Sequence, residues 1–264
     1  MGTLGRLSTE SWPTAWLIIE VNLISFLPLI SRKNSRKKTR MLYFVVQRIG
    51  SLLLLTMYVS DRVSLWSKWV NIGLILKAGL APMHFWGPPL LLTLTPALSF
   101  VFLSWQKIVP LFLLFVRCSK FVLLLTICFN LIVSAACSIG SKRISVLLFF
   151  SGLIHSGWIL TAPFLVSAFY FLIYIFMLVP IFFTSQSNLP YLFLNLAGLP
   201  PLTGFILKLT VLQTMSMSLL PPFLSCSGII LHAYLRIFLF SPFVKLHGLT
   251  WTTLLTCFLG IIIT

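Results

Sequence analysis

Three lysines and a glutamate stand where an apolar chain has little reason to put them. Glu20, Lys77, Lys107 and Lys208 each lie in a long hydrophobic run with no neighbouring charge. At the centre of a bilayer a lysine or aspartate costs about 2.5–3.5 kcal/mol on insertion scales. Four such residues, unpaired, would cost roughly 10 kcal/mol, so they imply partners, water and a use. The chemistry they suit is proton exchange. A lysine held away from water trades its proton near neutral pH, where a solvated one does not. Glu20 is expected to pair with Lys77 and keep it protonated, so that weakening the pair releases the proton. His155, mid-run in "SGLIHSGW", fits a proton relay or a water anchor. Ser151, Ser156, Asn195 and Thr203 are candidate water anchors beside these groups. The expected arrangement is one hydrated row at mid-membrane depth.

Other ionisable residues have blander readings. Arg48 and Arg236 are expected to snorkel or to pair with backbone carbonyls. His84 and His232 fit satisfied buried histidines as well as relays. Arg117, Lys120, Lys142 and Arg143 sit at the ends of runs and read as topology charges.

The elements that must position the lysines are interrupted helices. Lys77 precedes the break in "LKAGLAPMHFW" (Leu76–Trp86), and Lys208 follows the one in "LAGLPPLTGFILK" (Leu196–Lys208). The breaking residues are Gly79 and Pro82 in the first, and Gly198, Pro200 and Pro201 in the second. The two share "AGLAP" and "AGLPP". Proline removes a donor and clashes with the preceding turn. Inside a membrane, backbone freed in this way is tolerated only against protein or a watery cavity. About ten spans are expected, each near the length a bilayer requires: 12–30, 41–59, 66–84, 94–116, 121–139, 144–162, 164–184, 189–216, 218–240 and 248–263. The broken spans are the third and the eighth. That interval suggests two five-helix units related by inversion, an antiporter-like pattern. The first unit would begin in residues 1–8 and is read as N-terminally truncated. The fold class is an all-α polytopic membrane bundle, and residues 1–264 are read as a single transmembrane domain.

Composition supports this and excludes much else. Of 264 residues 59% are hydrophobic and 8% charged, with mean hydropathy +1.06. A soluble domain carries about 25% charged residues. Barrel strands would alternate polar and apolar residues, which these runs do not. The net charge of +16 reflects missing carboxylates, since Glu10, Glu20 and Asp61 are the only acids. The basic cluster "SRKNSRKKTR" lies between two apolar runs, where the positive-inside rule places it, so no nucleic-acid partner is expected. Cys118, Cys128, Cys137, Cys226 and Cys257 show no C-x-x-C, haem or Fe–S spacing, and no G-x-G-x-x-G occurs. No cofactor or metal is expected on this chain. Residues 1–11 are too short and polar for a signal h-region, and Arg6 breaks a myristoylation pattern.

At these residues a resemblance becomes specific. The stretches "WLIIEVNLISFLPLI", "YFVVQ", "LKAGLAPMHFWGP", "WQKIVP", "LIHSGW" and "LAGLPPLTGFILK" follow one another as in the subunit 2 family of mitochondrial NADH:ubiquinone oxidoreductase, respiratory complex I. They cover about three quarters of the chain. The resemblance implies a proton-translocating, antiporter-like subunit of the membrane arm, in the mitochondrial inner membrane. It implies that Glu20 pairs with Lys77, that Lys107 is the central lysine, Lys208 the distal one and His155 the relay histidine. NADH, FMN, Fe–S clusters and ubiquinone would belong to other subunits of the parent complex. Expected partners are other membrane-arm subunits, accessory subunits and phospholipids such as cardiolipin. The chain departs from the family in its short start before Trp12, in "CSIGS" before Lys142–Arg143, and in a short last loop near Pro242–Gly248. A lipid or an accessory subunit would then seal the side of Glu20.

Two other classes remain compatible with the residues alone. One is a stand-alone cation/proton antiporter of related fold. The other is a non-pumping spacer whose charges lock helices together.

Overall fold

In an apolar surrounding each backbone N–H and C=O must be satisfied within its own segment, so the hydrophobic runs become helices. The computed structural model describes residues 12–31, 37–59, 64–183, 189–200, 202–217 and 219–240. In chain order the helices are α1 (Trp12–Ser31), α2 (Lys37–Val59), α3 (Ser64–Ala78), α4 (Gly87–Leu91), α5 (Pro96–Leu103), α6 (Trp105–Arg117), α7 (Lys120–Gly140), α8 (Ile144–Thr161), α9 (Phe164–Phe183), α10 (Leu189–Ala197), α11 (Thr203–Leu212) and α12 (Leu220–Phe240). No strand occurs among the described residues. Five stretches among them are long and apolar enough to cross a membrane: Pro96–Val116, Lys120–Gly140, Ile144–Thr161, Phe164–Phe183 and Leu220–Ile237. Residues 1–8, Pro201 and the tenth expected span, 248–263, lie outside the described residues.

Three expected spans are not continuous. The third ends at Ala78 and the eighth is divided into α10 and α11, both at the Gly/Pro stretches. The interruption of the fourth, between α5 and α6, was not foreseen. At Ser104 the backbone departs from helix (φ −106°, ψ −77°), and its hydroxyl donates to Phe100 O at 2.6 Å. Such a back-bond competes with the helical ladder and bends it. Pro110 further weakens the next turns, having no N–H for the Gln106 carbonyl. The short α4, opened by Pro88 in its first turn, was read as connection.

The chain forms two compact units, Met1–Thr126 and Ile127–Thr264, dividing within α7. In the first, α3 packs on α2 and α6, and α2 on α1. Glycines allow the closest of these approaches. A Cβ on Gly73 would lie 3.1 Å from Gly50 O and 3.0 Å from Leu53 Cβ. An aromatic cluster of Phe26, Tyr43, Trp86 and Phe102 fills the interior, with ring centroids 5.6–6.4 Å apart. In the second unit α9 packs on α8, α10 and α11, and α12 packs on α10. Helix α8 is buried from Leu147 through Leu160, which suits a helix apolar all round. Outward faces carry Leu17, Val21 and Ile24 on α1 and Leu165, Leu172 and Phe176 on α9, a surface made for lipid.

Candidate functional site

The two breaks have the same local construction. At the end of α3, Gly79 adopts φ +65°, its N–H donates to Leu76 O (3.2 Å), and Leu80 N–H donates to Ile75 O (3.0 Å). At the end of α10, Gly198 adopts φ +79°, its N–H donates to Asn195 O (3.0 Å), and Leu199 N–H reaches Leu194 O (3.5 Å). Both are Schellman caps, which require a residue in the left-handed region and therefore favour glycine. The shared "AGL" thus specifies a shared way of ending a helix.

Side chains satisfy the carbonyls that each break leaves over. Trp86 Nε1 donates to Leu76 O (3.2 Å) and Gln47 Nε2 to Lys77 O (3.3 Å). In the second unit Lys208 Nζ donates to Ala197 O, placing a cation at the negative end of α10. Asn195 Oδ1 accepts from Thr203 Oγ1 (2.8 Å) and from Gly204 N–H (3.2 Å), so a residue of α10 caps α11 across the gap. Gly204 is held so close that a Cβ there would meet Asn195 O.

In the first unit, Glu20 is the only carboxylate side chain among the described residues, and it serves two cations. Arg48 Nη1 lies 2.8 Å from Glu20 Oε2, and Lys77 Nζ lies 3.9 Å from Glu20 Oε1. The Lys77 contact is an ion pair without a hydrogen bond; neither Lys77 Nζ nor Glu20 Oε1 has a hydrogen-bond partner. Both side chains are buried, whereas Arg48 is 42% exposed with its guanidinium 5.2 Å from the centre of the Phe44 ring. Arg48 is thus an ion-pair partner of Glu20, where snorkelling or carbonyl pairing was expected. The carbonyl pairing does hold for Arg236, which donates to Ile139 O (2.8 Å) and Ser141 O (2.7 Å).

Two small cavities of about 10 Å³, of mixed polar and apolar lining, adjoin Lys77. Each has room on the order of one water molecule. One is lined by Lys77, Lys107, Gln47, Gln106, Tyr43 and Trp86, so the first two lysines border a common space. The other lies beside Asn22 and Gln106, whose amides bond each other reciprocally at 3.1 Å. Lys107, in the first turn of α6 just after the bend at Ser104, is 3% exposed. The structure therefore brings Glu20, Lys77 and Lys107 together.

In the second unit His155 is buried on α8. His155 Nδ1 and Tyr170 Oη share a hydrogen bond of 2.8 Å, and the imidazole lies 4.8 Å from the Tyr174 ring centre. Ser151 and Ser156 donate to Leu148 O and Gly152 O on their own helix. Asn195 and Thr203, expected as water anchors, bond each other. Lys208 borders a larger cavity of about 160 Å³, walled mainly by Trp158, Phe205, Leu209, Leu212, Leu224 and Leu231. The sequence reading gave no role to Gln47, Gln106, Trp86 or Tyr170. Tyr170 and Tyr174 carry a signal in their spacing, since positions four apart share one helix face.

No family model matches the chain. The NADH-ubiquinone oxidoreductase chain 2 of Anopheles gambiae is 30% identical over 252 residues, covering 81% of this chain and 74% of that protein. The protein of the same name from Aquarana catesbeiana is 31% identical over 255 residues, covering 80% and 73%. That from Locusta migratoria is 27% identical over 289 residues, covering 94% and 84%. Among solved structures, a chain of respiratory complex I from Thermus thermophilus superposes with TM-score 0.76 at 19% identity, over 98% of this chain and 74% of the other. A chain of the Mrp complex from Dietzia superposes with TM-score 0.67 at 15% identity, over 93% and 55%.

Proposed function

Since the chain belongs to the NADH-ubiquinone oxidoreductase chain 2 family, we propose that Glu20, Lys77, Lys107, His155 and Lys208 are its proton relay. The chain is an antiporter-like, proton-translocating subunit of the complex I membrane arm. It is a multi-pass membrane protein whose partners include other subunits of that complex. The finer reading is ours. It comprises about ten spans in two inverted five-helix repeats, with the inner mitochondrial membrane as the site. Accessory subunits and phospholipids such as cardiolipin are further partners. The chain moves protons and binds no cofactor or metal, while electrons pass through other subunits. What supports the repeat is the pair of Schellman-capped breaks with a lysine at each.

The observation that carries the relay is the shared carboxylate. Lys77 is buried, touches Glu20 only at ion-pair distance, and borders the same small cavity as Lys107. A lysine so placed is held by charge and is not locked by a hydrogen bond. It gives up its proton when the balance of neighbouring charges changes. Water in the cavity then carries that proton toward Lys107. In the second unit Tyr170 orients the imidazole of His155, and Lys208 waits at the end of α10.

The test is the number of protons pumped per electron pair by the assembled complex. Lys77→Met and Lys107→Met should assemble and pump fewer protons. Lys142→Gln, at an exposed turn, should pump normally. If both methionine variants assemble and pump at full stoichiometry, the lysines are structural and the spacer reading replaces the relay.

A further inference from the structure

We infer that Arg48 is a positioning residue that keeps Glu20 from closing onto Lys77. The inference rests on the relay reading of Lys77 and concerns how that lysine is controlled. A carboxylate beside a lone buried lysine draws it into a direct charge-assisted hydrogen bond of about 2.7–2.9 Å. Here Lys77 stands at 3.9 Å, while Arg48 holds the other oxygen at 2.8 Å. The guanidinium is always charged, so its claim on Glu20 does not vary with pH. Its place is fixed by two contacts. Glu20 binds Nη1, and the face of Phe44, on the same helix α2, lies under the guanidinium.

The consequence is a division of labour at one carboxylate. Arg48 pairs with one oxygen of Glu20 and holds it on the α2 side. Lys77 faces the other oxygen across a gap. When Lys77 releases its proton, the Nζ–H bond breaks, the electron pair stays on nitrogen and the proton passes to water. Glu20 is then still paired and does not become a lone buried anion, which would be costly. The other titratable or charged groups facing Lys77 are Tyr43 from α2 and Lys107 from α6, which share its cavity. Neither is an anion that could replace Glu20.

The experiment uses the assembled complex in sealed membrane vesicles and measures protons pumped per electron pair against pH, for Arg48→Gln, Arg48→His and Lys77→Met. Without the guanidinium, Glu20 should close on Lys77, which then keeps its proton to higher pH. For Arg48→Gln the alkaline limb of the pumping profile should move up by about one pH unit, a tenfold change in proton occupancy. Arg48→His should follow the wild-type profile near pH 5.5, where a histidine is charged, and the glutamine profile near pH 8. If Arg48→Gln fails to assemble, the histidine variant alone decides. A histidine profile parallel to wild type across the whole range overturns the inference. A wild-type profile for Arg48→Gln together with pumping lost in Lys77→Met overturns it while leaving the relay standing. Full pumping by Lys77→Met removes the relay, and this inference with it.

Discussion

Adding one methyl group at Gly50 should reach the Glu20–Lys77 ion pair without touching a charge. A Cβ there would stand 2.7 Å from Lys77 Cγ, 3.2 Å from Leu76 Cδ2 and 3.3 Å from Lys77 Cε. Carbon atoms rest at about 3.5–4.0 Å, so the Lys77 stem must retreat by about 1 Å. If the ammonium follows, its 3.9 Å separation from Glu20 grows to about 4.9 Å. At an effective dielectric near 20 the attraction falls from about 4 to about 3 kcal/mol, roughly fourfold in an equilibrium. Overpacking between α2 and α3 adds a cost of about 1–3 kcal/mol to stability. Gly50→Ala should therefore lower the temperature at which the subunit leaves the detergent-solubilised complex, and should alter the pH dependence of pumping. Gly228→Ala is the control. A Cβ there meets nothing within 4 Å, and helix propensity alone favours alanine by about 1 kcal/mol. A Gly50→Ala complex with wild-type thermal behaviour and wild-type pumping would show that the α2–α3 contact does not set the lysine's position.

Other outcomes follow from single contacts. Trp86→Phe keeps the aromatic packing but removes the donor to Leu76 O, and should destabilise the subunit by about 1 kcal/mol in the same dissociation assay. Asn195→Leu leaves Thr203 Oγ1 and Gly204 N–H without their acceptor and should cost about 1–3 kcal/mol. The Asn195→Leu/Thr203→Val double variant should recover part of that loss. Burial pushes the Cys118 thiol, in the turn after α6, up to about 11 from its ordinary 9. Because the thiolate is the reactive form, alkylation of Cys118 at pH 8 should be about a hundredfold slower than that of an ordinary thiol, and should accelerate as pH rises toward 11.

Much of this architecture is legible in the chain because it rests on strong local rules. Gly79 and Gly198 announce helix ends, and the structure supplies left-handed glycine caps at both. The lone acid in an apolar run draws attention to Lys77, and the structure sets the two at ion-pair distance. What escaped reading depends on geometry between helices. Nothing in sequence says that Arg48, on α2, arrives nearer to Glu20 than Lys77 does. Ser104 looks ordinary in "FLSWQK" until its hydroxyl is seen to take the Phe100 carbonyl. The sequence does not show that Asn195 and Thr203, expected to anchor water, meet each other. Across a break they suit each other, and eight residues of separation brings them within 2.8 Å.

The two capped breaks say something about timing. Each is closed by its own left-handed glycine and the backbone bonds around it, with Lys208 adding a charged donor at the second. The turns at Gly79 and Gly198 carry their own closing hydrogen bonds, so the proposed relay does not require either to open. On the proposed relay, what moves is light: protons, single waters and the tips of lysine side chains. Gating by charge would, on that relay, leave the slow step to the rest of the assembly.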